Sequence, residues 1–277
     1  MPENPRLLNL GMNGILRILS RIFEVIVASV FLPILLSAGT GAGRQALPAL
    51  FYSSKKFLAT WYDLIDNTGL SAILEQNFWA DEMAPYMNFK KLASREIEGQ
   101  DYRIKLELRD PRVLIMAPHG GKIEPTTEVI AEAIAGKDYS FYSFEGLKTF
   151  SHVLHIESHL FDEPRALQAL EKADIVVTVH GQIDQNHEFV MVGGLHESLR
   201  SEIRQQLEAV GFQTRPPTEG LLGIDPMNIC NRGKSKQGVQ LEVSRRVRDF
   251  LRTNKYQLET FASAVERAIR TCLDRKD

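Results

Sequence analysis

Two apolar runs of this sequence end in histidine followed by glycine, "VLIMAPHGG" at His119 and "IVVTVHGQ" at His180. Glu124 stands five positions beyond the first histidine, in "HGGKIEP". Two imidazoles and one carboxylate are a common donor set for a catalytic zinc ion, which keeps a further position for water. A spacing of five does not align His119 and Glu124 on one helical face, but Gly120 and Gly121 let the backbone between them fold back toward one point. Hydrolysis at such a centre needs one more group, which takes a proton from water and returns it to the departing amine. Glu242 in "GVQLEVS" has that chemistry. In an alternating strand Val239, Leu241 and Val243 share one face, and Gln240, Glu242 and Ser244 share the other. Arg245 and Arg246 follow directly and could grip a substrate carboxylate bidentately, while Lys122 beside the first histidine could meet another.

Each of these residues also has a plainer reading. A histidine at a strand end commonly bonds a backbone carbonyl, a lone glutamate on a strand is usually solvated, and an arginine-rich helix start is usually an exposed face. In "ESHLFDEP", Asp162 is expected to cap the helix that Pro164 opens, with His159 standing behind the metal-binding groups. Serine-nucleophile chemistry has no support, because no Gly-x-Ser-x-Gly elbow occurs.

The elements that must position these residues follow from hydrophobic period. "DYRIKLEL" alternates and reads as an edge strand, whereas "RVLIMAP" and "DIVVTVHG" are continuous apolar runs, as for strands covered on both faces. "DYSFYSFEG", "SHVLHIES", "EFVMVGG" and "GVQLEVS" complete the strand set. Helices are expected in "EPTTEVIAEAIAG", "PRALQALEKA", "HESLRSEIRQQLEAVGF", "RRVRDFLRTN" and "ETFASAVERAIRTCLDR". This alternation predicts an α/β domain, a central mixed but mostly parallel sheet with helices on both faces. Loops at the carboxyl ends of such strands converge on the ligand site, so His119 and His180 are expected at one edge.

The 277 residues, 44% of them hydrophobic, allow a sizeable core, and a formal net charge of −2 argues against nucleic acid as the main partner. Cys230 and Cys272 form no C-x-x-C pair, so neither a disulfide framework nor a cysteine zinc knuckle is encoded. Residues 1–82 read as an N-terminal extension ahead of a metallohydrolase domain at 83–277. In the extension, Arg6, Arg17 and Arg21 precede "VIVASVFLPILLSAGTGAG", the outline of a signal peptide, and residues 46–78 carry one or two short helices. Its apolar stretch is shorter than the roughly 20 residues of a bilayer span and is broken by Pro33, so no stable membrane span is expected. The chain is secreted if this segment is a signal and cytoplasmic if it is an appendage or lies upstream of the true start.

Taken in order, "NFKKL", "DYRI", "APHGGKIEP", "AIAG", "FEG", "LHIESHLFDEP", "VHG", "VGG", "NICN" and "GVQLEVSRRVR" resemble the zinc-dependent poly-γ-glutamate hydrolases of bacteriophages and bacilli. The resemblance covers about residues 87 to 250. It implies a zinc carboxypeptidase-like α/β fold, one zinc ion held by His119, Glu124 and His180, Glu242 as the catalytic glutamate, and a polymer of glutamates joined through side-chain carboxyls as substrate. A monomer is expected. The chain departs from the family after "IEP", where a Gly-Thr-Ser-Glu-like stretch is replaced by "TTEV", at the helix entry beside the metal. Two other functions use the same residues: a metal-dependent amidohydrolase of small N-acyl or γ-glutamyl compounds, and a non-catalytic module binding anionic polymer.

Overall fold

A computed structural model describes residues 86–275 of the chain. The whole 1–82 extension, with its signal-like segment and the helices expected at 46–78, lies outside the described residues. Seven strands form one sheet in the order β1-β3-β2-β4-β7-β5-β6. They are β1 (Tyr102–Glu107), β2 (Asp110–Gly121), β3 (Tyr139–Gly146), β4 (Ile175–Gln182), β5 (Val190–Gly193), β6 (Thr214–Arg215) and β7 (Val239–Ser244). The four strands β3, β2, β4 and β7 run parallel. Strand β1 is antiparallel to β3, and β5 is antiparallel to β7 and parallel to β6.

The middles of β2 and β4 are almost continuously apolar because both faces are covered. Val113, Ile115 and Ala117 of β2 join one core, with Val177 and Val179 of β4 and Val239, Leu241 and Val243 of β7. Over it pack α2 (Thr127–Ala135), α4 (Glu197–Ala209), α5 (Arg245–Thr253) and α6 (Lys255–Asp274). Leu114 and Met116 point the other way into a second core, shared with Tyr142, Phe144 and Phe161 and closed by α1 (Phe89–Ala93) and α3 (Pro164–Leu170). Among the described residues no helix is long and apolar enough to cross a membrane.

Two local expectations are corrected. "SHVLHIES" is not a strand: Ser151–Leu154 form a short 3-10 turn, and the chain continues irregularly past His155 and Ile156. Its alternating apolar residues were satisfied by a loop lying on the second core, where Leu154 and Ile156 are buried. The cap of α3 is Glu163, whose side chain accepts from the Ala166 N–H, whereas Asp162 reaches back to accept from the Phe89 N–H at the start of α1.

Candidate active site

Strand pairing sets the geometry. β2 and β4 pair only from Val113–Ile175 to Met116–Thr178 and then part. Their carboxyl ends open a crevice at the point where the chain crosses from β3 to the other side of β2, the position at which open parallel sheets bind ligands. Against β3, the register of β2 shifts between Ala117 and Gly120, a bulge that re-aims His119. β4 and β7 remain paired to their ends, with His180 directly opposite Glu242.

The turn from His119 to Glu124 closes on itself through the Glu124 N–H, which donates to the His119 carbonyl at 2.8 Å. Gly121 makes this possible: its φ is +65°, and a Cβ there would lie 2.5 Å from the Gly146 carbonyl oxygen. The result is a tight group. His119 Nδ1 lies 3.1 Å from Glu124 Oε1 and 3.2 Å from His180 Nδ1, and His180 Nδ1 lies 3.8 Å from Glu124 Oε2. Glu124 Oε2 also accepts from the Gly181 N–H at 2.7 Å. His155, in the loop that had read as a strand, joins them: its ring lies 3.9 Å from the His119 ring, centroid to centroid, and its Nε2 is 3.7 Å from Glu124 Oε1. His119, Glu124 and His155 offer donor atoms within 4.8 Å of one another, so a histidine outside the expected set stands at the same centre.

The protonation pattern suits a cation. His119 Nε2 is 2.8 Å from the Ile156 carbonyl and must donate to it, which leaves Nδ1 as a lone pair in the neutral ring. That lone pair faces a carboxylate oxygen and the Nδ1 of a second imidazole. Without a metal the conflict is relieved by a proton. Burial opposes charge on His119, but the facing Glu124 carboxylate overcomes it and raises its pKa. Burial, with the charge of His119, pushes His155 and His180 down to about 3. Burial works to raise Glu124, yet the surrounding imidazoles, His119 foremost, bring it down to about 2. Four ionised or lone-pair-bearing groups fixed around one point, each with a backbone or ring partner to orient it, fit a divalent ion with nitrogen and oxygen ligands.

Glu242 is buried beside this group and lines the same cleft, of about 620 Å³. The alternation of β7 is as read, but all six of its residues are buried, so Glu242 is not a solvated strand residue. Burial, and then the charge of Glu124, raise its pKa well above the usual carboxylate range, against the opposing pull of Gln240 and Arg248. Gln240 Nε2 donates to its Oε1 at 2.9 Å.

The three expected substrate cations do not line this cleft. Lys122 donates to the Leu147 carbonyl, Arg245 pairs with Asp249 at 2.8 Å, and Arg246 pairs with Glu188 on the surface. β7 passes straight into α5, and the side chains of Arg245 and Arg246 reach Asp249 and Glu188 instead. Arg248, one turn on, is the buried cation of the region. It donates to the carbonyls of Val243, Pro125 and Gln182, and so ties β7, the turn after Glu124 and the end of β4 together. His159 lies on the exposed rim of the cleft, not behind the histidines.

Comparison with known proteins bears on the family and the fold. Residues 86–267 match the family model for poly-gamma-glutamate hydrolase. Among curated relatives, the SPbeta prophage-derived UPF0714 protein YoqZ of Bacillus subtilis is 34% identical over 210 residues, covering 71% of this chain and 74% of the relative. UPF0714 protein YmaC of the same organism is 34% identical over 201 residues, covering 69% and 84%. Among solved structures, a bacteriophage poly-gamma-glutamate hydrolase superposes with a TM-score of 0.65 at 30% identity, covering 69% of this chain and 99% of that one. YndL in its zinc-free apo form superposes with a TM-score of 0.63 at 31% identity, covering 68% and 98%. The sheet order, the helices on both faces and these superpositions give the domain the zinc carboxypeptidase-like α/β fold. With the match running from the first described residue into α6, the chain belongs to the poly-γ-glutamate hydrolase family.

Proposed function

We propose that the protein hydrolyses γ-glutamyl amide bonds of poly-γ-glutamate, with one zinc ion held by His119, Glu124 and His180 and with Glu242 as the proton-transferring carboxylate. The observation that carries this reading is the convergence of His119 Nδ1, His180 Nδ1 and Glu124 Oε1 on one point, with His119 Nε2 committed to a carbonyl. The solved structure of YndL in a zinc-free form supports zinc as the ion. A zinc ion held there would polarise the amide carbonyl, acidify the attacking water and, by its charge, bring the Glu242 carboxyl down toward neutrality.

The chain's own residues supply the rest. Glu242 works through Oε2, since Gln240 occupies Oε1; it takes the proton of the attacking water and passes it to the departing amine. The Gly181 N–H and the imidazoles fix Glu124, so the carboxylate keeps its place as the proton moves. Leu221, Leu222 and Ile224 on one wall suit the methylene pairs that separate successive amides in a γ-linked chain.

One observation favours a smaller substrate: among the described residues lining the cleft there is no lysine or arginine, while Glu157 and Asp225 are acidic. A polyanion must then be met by hydrogen bonds and by the metal-site charge. Incubation of purified protein with poly-γ-glutamate and, separately, with γ-glutamyl dipeptides separates the two substrates. The polymer reading expects chelator-sensitive shortening of the polymer, abolished in Glu242→Gln with zinc content retained. A Glu242→Gln protein with normal turnover would overturn the base assignment.

A further inference from the structure

Glu242 is not held by a single contact but by a directed chain that begins at the backbone. The Cys230 N–H donates to Asn228 Oδ1 at 3.1 Å. A backbone N–H can only donate, so this bond fixes which end of the Asn228 amide is oxygen and presents Nδ2 on the other side. Asn228 Nδ2 donates to Gln240 Oε1 at 2.8 Å. The Gln240 amide is thereby oriented in turn, and its Nε2 faces Glu242 Oε1. All three side chains are buried, at 7%, 4% and 5% exposure, so bulk water competes little for either amide. Gly223 covers the Gln240 side chain, where a Cβ on it would lie 3.0 Å from Gln240 Cβ, and its carbonyl accepts from Asn231 Nδ2 at 2.7 Å.

We propose that Asn228 and Gln240 are positioning residues that impose a donor on Glu242 Oε1, leaving Oε2 as the only oxygen of that carboxyl that exchanges a proton with substrate and water. The inference rests on the reading of Glu242 as the proton-transferring group. Its content is polarity. If the Gln240 amide were reversed, its carbonyl would face Glu242 and hold a proton on Oε1, and the carboxyl would cease to accept one from water.

The test uses two substitutions at Asn228 whose order of damage differs between a polarity device and a packing role. Asn228→Asp keeps shape and still accepts from the Cys230 N–H, but offers an acceptor to Gln240 and so turns its amide around. Asn228→Ala removes the bias and leaves the Gln240 amide free to take either orientation. With the full chain loaded with zinc and assayed on poly-γ-glutamate near pH 8, Asn228→Asp is expected to lower kcat by about 100-fold and Asn228→Ala by about tenfold, both with KM unchanged. Gln240→Met keeps the bulk without the donor, and lies between them. Thermal melts and zinc content of each variant separate these losses from misfolding. A packing role predicts the reverse order, with the isosteric aspartate harmless and alanine damaging, and that order would overturn the proposal, as would an unaltered kcat in Gln240→Met. Glu242→Gln run alongside distinguishes the two failures: if it stays active, the base assignment falls and the proposal with it; if it is inactive while Asn228→Asp is not, the proposal alone falls.

Discussion

Gly181 follows His180 and has no unusual backbone angle, so its requirement is space. A Cβ at this position would lie 2.6 Å from Arg248 Cζ and 2.8 Å from its Nη2. An arginine tip ordinarily moves aside, but this one is held by three carbonyls, those of Val243, Pro125 and Gln182, and is buried. Gly181→Ala must therefore displace the guanidinium and break at least two of these bonds. At about 1.5–3 kcal/mol for each bond to a charged group, the cost is roughly 3–6 kcal/mol, a large part of the stability of a domain this size. Urea denaturation reads it as a fall in midpoint. The decisive assay repeats the substitution in an Arg248→Met background, where the obstructing group is gone. There Gly181→Ala is expected to cost less than about 1 kcal/mol, giving a coupling of several kcal/mol between the two sites. If the glycine substitution costs the same in both backgrounds, or is nearly neutral in the native chain, the picture of a clamped arginine beneath the site is wrong.

Thr126 sits at φ +83°, as the residue before α2, with no side-chain cap bond. A β-branched residue in that region is strained, so Thr126→Gly is expected to stabilise by about 1 kcal/mol in the same urea assay. His155 and His180 stay neutral in the fold down to about 3 but take protons near 6.5 when unfolded. They contribute stability above about 6.5 that is lost as pH falls toward 3, by about 1–3 kcal/mol per pH unit together; the raised pKa of Glu242 acts in the opposite sense above about 4.5, and that of His119 only above about 6.5. Melts of chelator-treated protein from pH 7 to 4 should show Tm falling steadily, and a flat profile would contradict the burial of these rings. His155→Phe preserves the ring contact with His119 but removes its nitrogens, and should weaken zinc binding by about 10- to 100-fold in a competition titration against a chelating dye; unchanged affinity would place His155 outside the cluster.

Much of this was legible because hydrophobic period reports burial directly. "VLIMAP" and "IVVTVH" had to be two-sided strands, and in parallel strands their last residues had to share an edge. What escaped was anything set by the path of a loop. His155 was hidden inside a stretch whose alternation fits a strand but serves a coil over the second core. The cap of α3 fell one residue from the expected place because Asp162 is used by α1, 73 residues earlier in the chain, a demand no local rule contains. Arg245 and Arg246 stand near Glu242 in sequence, but a helix that starts at a strand end scatters consecutive side chains around its axis, and it is Arg248 that turns inward. The departure at "TTEV" was visible as a string; that it puts a threonine into a left-handed conformation needed the backbone.

The ends of β2, β4 and β7 supply His119, His180 and Glu242, which are about sixty residues apart in each step along the chain, so the centre consists almost entirely of long-range neighbours. A zinc finger gathers its ligands from one short segment and can load metal as soon as that segment exists. Here no fragment ending before β7 possesses both the imidazole pair and its acid. On the proposed site, a growing chain therefore acquires its full set of reacting groups only once β7 has emerged and paired with β4, so the carboxylate and the finished sheet arrive together.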